Sequence, residues 1–340
     1  MKTQYVTRYM GSKIHLLDFI VPSILELRAH PFTFVDLMAG THAVGYALRD
    51  YARVVSNDTQ YYSLVFGRAL ITNSTSPRLA PDILELVTAK TEQLAAPGWF
   101  TETYADTYFA PEQCLEIETI RAVIREFPEQ PTQSILLTAL AHAMGYAQSS
   151  PGHFAQYMPA GHPRVQSLRR IRVRDAFLKY LADFTVSTAG SRNTVHQSDV
   201  HDFLDTPPSQ IETNAVAYFD PPYSPAQYSR YYHLLDTVML DDEPEVSHKG
   251  LYRPNRFSSM FCSKPRVHGE FSRVIARTAD LGWDLVISYS THALLPLSDL
   301  EGIAQTHYQA VAVSRQEYAH SMQGRGMAKN RSEVLLVCRL

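Results

Sequence analysis

The chain has 340 residues, 45% of them hydrophobic and 19% charged, with a formal net charge of −3. That composition can fill a core and excludes broad disorder; the length suits one large α/β domain or one domain with an insertion. A net acidic chain can meet nucleic acid only through a local basic face, and its three scattered cysteines, Cys114, Cys262 and Cys338, exclude a disulfide framework or a CxxC zinc pattern.

The opening MKTQYVTRYMGSK has no apolar signal core, so a cytoplasmic chain with no membrane partner is expected. Residues 13–28 carry helical apolar spacing (Ile14, Leu17, Phe19, Ile20, Ile24, Leu27), with Pro22 placed to kink or divide the helix. Phe32 to Leu37 is a short apolar run closed by Asp36, and the turn MAGTHAVG follows it, which reads as strand, loop, helix. Arg53 to Val55, then Ser56, Asn57 and Asp58, is a second strand ending in an acid, at a spacing that suits a βαβ unit. From about Ser74 to Gly190 helical segments dominate: Pro81 to Leu94, Pro111 to Arg125 and Gln133 to Gln148. The last of these contains the longest apolar stretch, too short to span a bilayer. The polar loop SSPGHFAQYMPAGHP and a stretch rich in arginine complete this span, which we read as an inserted domain.

Strand rhythm returns at Thr194 to Asp199, Val216 to Asp220 and Leu285 to Ser290, then near Tyr308 to Ser314 and Val334 to Cys338. A connection of about 18 residues joins the last two and allows an antiparallel pair. The expected fold is α/β: an open, doubly wound sheet of seven mostly parallel strands.

Chemistry concentrates at Asp220, Pro221, Pro222 and Tyr223, directly after the apolar run AVAYF. Ligands of open α/β sheets bind beyond the carboxyl ends of the strands. A carboxylate followed by two prolines makes a stiff loop of acceptors lacking two backbone donors, and Tyr223 adds a flat face. Those groups suit an exocyclic amine on a stackable ring turned out of its helix; the plainer reading is a proline-rich turn closing a strand. At the other turn, Gly40 and Gly45 let the backbone approach a nucleoside closely, and Asp58 stands where an acid can bind a ribose diol. Asp58 can equally cap the helix that starts near Tyr61.

Arg8-Tyr9-Met10-Gly11-Ser12-Lys13, Asp36-Leu37-Met38-Ala39-Gly40-Thr41 and Asp220-Pro221-Pro222-Tyr223 occur in that order. In this the chain resembles the S-adenosylmethionine-dependent DNA adenine-N6 methyltransferases of the D12 class, whose target-recognition region lies between the cofactor motifs and the catalytic loop. The resemblance implies a Rossmann-like methyltransferase domain over 1–75 and 190–340, with an inserted, mainly helical target-recognition domain over 76–189. It implies S-adenosylmethionine as cofactor, with Tyr9, Gly11 and Lys13 in the opening motif and the lysine meeting the cofactor's carboxylate. Asp36, Gly40 and Thr41 would hold the methionine part, Asp58 the ribose, and Asp199 would lie near the adenine ring. Ile287-Ser288-Tyr289 resembles a strand lining the target pocket, and Arg331-Ser332-Glu333-Val334 the segment before the last strand. Catalysis falls to Asp220, Pro221, Pro222 and Tyr223, without a metal. The implied partners are double-stranded DNA and a cognate restriction endonuclease; oligomeric state is not readable. His42 and Met38 depart from the usual glycine and phenylalanine.

For DNA contacts the sequence offers Arg164, Arg169, Arg170, Arg172 and Arg174, a phosphate ridge whether the stretch is helix or strand, against the alternative of arginines paired with local acids. His153 and Gln156 in the polar loop, and Tyr228 after the DPPY loop, suit base contacts or closure over the target. His233 reads as structural. Three other readings stay open: methylation of cytosine at N4, an RNA or protein-glutamine methyltransferase, and a non-catalytic DNA-binding subunit with the same fold.

Overall fold

Strands buried on both faces have no reason to alternate apolar and polar residues, and TFVD, AVAYF and DLVISYS do not. They form β1 (Thr33–Asp36), β4 (Ala215–Phe219) and β5 (Asp284–Ser290), buried throughout except for the last residue of β5. The computed structural model describes residues 11–29, 31–73, 78–186, 192–211, 213–222, 224–318 and 331–340. With β2 (Arg53–Asp58), β3 (Thr194–Gln197), β6 (Ala310–Tyr318) and β7 (Arg331–Arg339), the sheet has seven strands in the order β3-β2-β1-β4-β5-β7-β6. The first five pair in parallel, and β7 is antiparallel to both β5 and β6. All seven expected strands are present, including the antiparallel pair at the end. The edge strand β3 is half-exposed, as an edge with polar TVHQ should be.

Two compact units divide the chain. The sheet unit holds Lys13–Thr59, Arg192–Gln227 and Ser258–Leu340. Its core joins Val35, Phe219, Leu285 and Leu336 of the sheet to Phe271, Val274 and Ile275 on the helix Val267–Asp280. Those helix positions recur at three and four residues, so one stripe faces the sheet and the other face stays polar. The expected opening helix begins as a 3-10 turn, Lys13–Leu16, and continues as Leu17–Leu25 with Pro22 inside it.

The helical unit holds Met1–Ser12, Gln60–Ser191 and Tyr228–Phe257. Its central helix, Thr132–Ala147, is buried on nearly every side. The helix Tyr61–Leu70 belongs here because it buries Tyr62, Val65 and Phe66 among helices: Tyr62 meets Tyr232 at 5.8 Å between ring centroids and donates its backbone N–H to Asp236 at 2.9 Å. This unit therefore starts before residue 76 and takes in 228–257 as well. No helix among the described residues is long and apolar enough to cross a membrane.

Candidate active site

β1 pairs with β2 on one side and β4 on the other, with Asp36 opposite Ser56 and Tyr218. The loops after β1, β2 and β4 therefore leave the same edge side by side, where the strand order reverses. The turn after β1 needs left-handed backbone at Gly40 (φ 53°) and at His42 (φ 60°, ψ 25°). Histidine tolerates that region better than most residues, and here its ring is fully buried. Ala39 N–H donates to the Asn57 carbonyl at 2.9 Å, and Gly40 N–H to Asp58 Oδ2 at 2.8 Å. Asp58 thus braces the glycine turn, while the helix Tyr61–Leu70 starts from Gln60 without a side-chain cap. Asp199 caps the helix Val200–Asp205, accepting from His201 N–H at 2.8 Å, and Thr41 is buried in the turn.

Asp36 is 2% exposed, and its Oδ1 is buried without a hydrogen-bond partner among the described residues. Burial, the Asp220 charge and the Asp58 charge push its carboxyl well above the usual carboxylate range, and a Gly45 backbone bond opposes them only in part. Asp220 follows β4 and is partly exposed, whereas Pro221 is buried and Pro222 half-buried. Lys13 Nζ lies 3.0 Å from Asp220 Oδ1 and 3.0 Å from Glu333 Oε1. Burial works against the ammonium, but the two carboxylates outweigh it, and the lysine stays charged above its ordinary range. Ser288 Oγ donates to Glu333 Oε1 at 2.8 Å. Ser288 and Glu333 thus belong to the site through Lys13. The resemblance points only to their segments. Tyr289, beside Ser288, is buried and donates its hydroxyl to the Leu295 carbonyl at 2.8 Å.

Tyr9 and Tyr223 lie outside the described residues. Gly11, in the helical unit, has φ 86°, and a Cβ there would meet the Tyr228 hydroxyl at 3.0 Å. Tyr228 packs edge-on against Tyr231.

The five arginines do not form one ridge. Val165–Arg169 and Val173–Asp183 are separate helices, so Arg170 and Arg174 share no helix face and no strand aligns Arg170, Arg172 and Arg174. Arg169 pairs with Asp106 at 3.0 Å, Arg172 with buried Glu116, and Arg174 with Thr91 Oγ1 and the Thr88 carbonyl. Arg164 and Arg170 are exposed. The polar loop is tied down: Phe154 is buried, and its carbonyl accepts from the Tyr108 hydroxyl at 2.5 Å and from His233 Nε2 at 2.9 Å. His153 lies 4.6 Å from Tyr231 between ring centroids, while Gln156 is exposed.

Residues 9–281 match the D12 class N6 adenine-specific DNA methyltransferase family. The chain is 26% identical to the type II methyltransferase M.NlaIII of Neisseria lactamica, across 87% of this chain and 86% of that protein. It is equally identical to the type II methyltransferase M.FokI of Planomicrobium okeanokoites, across 88% of this chain and 47% of that one. The modification methylase LlaI of Lactococcus lactis subsp. lactis is also 26% identical, across 97% of this chain and 54% of its own length. The chain thus spans about half the length of M.FokI and LlaI. The family match covers both the glycine turn braced by Asp58 and the loop of Asp220, and the chain belongs to the D12 class N6 adenine-specific DNA methyltransferases.

Proposed function

We propose that the chain transfers a methyl group from S-adenosylmethionine to the N6 amine of an adenine turned out of double-stranded DNA. The observation that carries this reading is the position of Asp220: at the carboxyl end of β4, beside the acid-braced turn after β1, and fixed by a buried ammonium. The residues present fit the cofactor. Its ammonium and sulfonium make it rich in positive charge, and Asp36, Asp58 and Asp220 are close enough for their charges to couple at Asp36, whose buried Oδ1 has no hydrogen-bond partner among the described residues. Asp36, Gly40, Thr41, Asp58 and Asp199 would hold it, with Tyr9, Gly11 and Lys13 from the opening motif. When bound, it supplies a methyl carbon already activated by its sulfonium.

The protein's work is then positional and electrostatic. The amine of adenine is a poor nucleophile because its lone pair is delocalised into the ring. The Asp220 carboxylate and the Pro221 carbonyl accept its two N–H bonds, which favours a more tetrahedral nitrogen and stabilises the charge developing there. Lys13 orients the Asp220 carboxylate, and Glu333 with Ser288 holds Lys13 in place. Pro221 and Pro222 lack N–H groups, so neither can donate to the carboxylate and compete with the amine. Tyr223 supplies the stacking face, worth about 1–3 kcal/mol for a base. The helical unit would carry target recognition, and a cognate endonuclease acting on the same sequence would be the partner.

Incubation with DNA and label-bearing cofactor, followed by nucleoside analysis, tests this. The expected product is N6-methyladenine. N4-methylcytosine alone would move the reading to the other amine, and cofactor binding without transfer to any DNA would support the non-catalytic subunit.

A further inference from the structure

Five arginines of the helical unit are neutralised where they stand. Arg121 and Arg125 share Asp241, Arg169 takes Asp106, Arg172 takes Glu116 and Arg253 takes Asp242. Arg230 and Arg256 differ. Among the described residues neither has a carboxylate at ion-pair distance, yet both are held on one ring. The Arg230 guanidinium lies 5.4 Å from the Tyr252 centroid and that of Arg256 lies 4.7 Å from it. Arg230 Nε donates to the Tyr252 hydroxyl at 3.0 Å, and Arg256 donates to the Arg253 carbonyl at 2.5 Å. Tyr252 is itself fixed. Its hydroxyl donates to the Ala155 carbonyl at 2.5 Å, His233 meets it edge-on at 5.0 Å, and its ring covers Gly250 so closely that a Cβ there would sit 2.2 Å away.

Cation–π contacts favour each guanidinium singly, but two like charges on one ring repel, and Arg256 is already half-buried. Burial, with the Arg230 charge adding to it, lowers the tendency of both Arg256 and His153 to hold a proton. Two neighbouring guanidiniums held on one ring, with no acid between them among the described residues, offer charge-assisted donors to an anion. Phosphates of a nucleic-acid backbone, repeated and singly charged, match two guanidinium groups. Among the described residues Arg164 and Arg170 also show no ion pair, but no ring there holds their guanidiniums, so each would have to be ordered on binding.

We infer that Arg230 and Arg256, fixed on Tyr252, form a phosphate clamp by which the helical unit grips the DNA backbone beside the loop of His153 and Gln156. The inference rests on the DNA-methyltransferase reading for the identity of the polyanion. Each phosphate neutralised contributes about 0.9 to the slope of log affinity against log salt. Duplex DNA binding of the full chain is to be measured by fluorescence anisotropy from 50 to 200 mM salt, for the wild type, Arg230→Gln, Arg256→Gln and the double variant. Loss of about 0.9 from the slope for each single variant and about 1.8 for the double is expected, with weaker binding at every salt concentration. Arg172→Gln, which touches only a local acid, should leave the slope unchanged. Calorimetric cofactor binding and thermal melts show whether each variant is folded. Should Arg230→Gln fail to fold, Arg256→Gln alone decides. An unchanged slope in folded variants overturns the clamp, as does loss of slope on duplex RNA but not on DNA. In either case wild-type methyl transfer to DNA would leave the underlying reading standing, whereas absence of that transfer would sink the reading itself.

Discussion

Lys13 and Asp220 form an ion pair of 3.0 Å in which the ammonium is almost fully buried and the carboxylate keeps a fifth of its surface. The exposed end is therefore the acid's, the end that would meet the amine in the proposed reaction. Lys13 is shared with Glu333, so removing it would leave two carboxylates facing each other without their common cation. We predict that Asp220→Asn lowers methyl transfer by at least about 100-fold while cofactor binding stays within a few-fold, because the lost interaction acts on charge that develops only during reaction. Lys13→Met should cost about 3 kcal/mol of stability in addition to activity. Near-normal turnover of Asp220→Asn in a single-turnover assay would remove that acid from the chemistry.

Asp36 offers a test that needs no turnover. Burial and the charges of Asp220 and Asp58 hold its carboxyl protonated well above the usual range. A raised acid binds more protons folded than unfolded, so its contribution to stability is present at low pH and is lost as pH rises through the raised folded value. Binding of a ligand carrying positive charge reverses the balance and favours ionisation. Calorimetry in buffers of different ionisation enthalpy, repeated at several pH values above the usual carboxylate range, should therefore detect proton release on S-adenosylmethionine binding at the pH where the free protein holds that proton. Asp36→Asn should abolish that release and flatten the loss of stability at rising pH. Equal heats in all buffers for the wild type would refute the linkage.

What the residues reveal and conceal follows from the range of the forces involved. β1, β4 and β5 were legible because unbroken apolar runs bounded by turns suit strands buried on both faces. The glycine turn and the acid ending β2 were legible as neighbours in a βαβ unit, but only the fold shows Asp58 accepting from Gly40. Glu333 stood inside a recognisable segment, yet its role depends on β7 entering antiparallel between β5 and β6. The arginine stretch misled for the same reason. Asp106 and Glu116 are remote in sequence, and periodicity carries no signal about partners brought in by packing. The placement of 228–257 in the helical unit was hidden too, since an apolar face does not say which layer it will meet.

Arg172 tests whether an arginine paired within the protein also contacts DNA. Its partner, Glu116, is buried at 3% exposure and also accepts the backbone N–H of Arg174 at 3.2 Å. Truncation to alanine leaves a buried carboxylate short of one donor, at a cost of about 1–3 kcal/mol. The arginine itself is largely exposed, which puts the expected loss in the lower half of that range. Urea unfolding of Arg172→Ala should show this destabilisation, with DNA binding at fixed salt unchanged once the folded fraction is accounted for. Unaltered stability combined with weakened DNA binding would return Arg172 to the DNA-contacting set.

His233 sets an acid limit on the helical unit. Burial lowers it to about 3, with the Arg256 and Arg253 charges adding to the shift and its bond to the Phe154 carbonyl opposing it. The neutral ring donates from Nε2 to that carbonyl at 2.9 Å, so the bond itself requires no charge. A depressed histidine binds fewer protons folded than unfolded, and stability must therefore fall as pH drops from the ordinary histidine range toward 3. Within that window a single such group changes the unfolding free energy by about 1.4 kcal/mol per pH unit. His233→Gln can keep a donor to the carbonyl but cannot titrate. It should be less stable than the wild type at pH 7, because the ring is packed against Tyr108 and Tyr252, and should lose stability more slowly on acidification. Chemical unfolding at pH 7, 6 and 5 resolves the two slopes. Parallel lines for wild type and variant would mean that His233 stays uncharged in both folded and unfolded chains, or is protonated in both, and would remove it as the source of acid sensitivity.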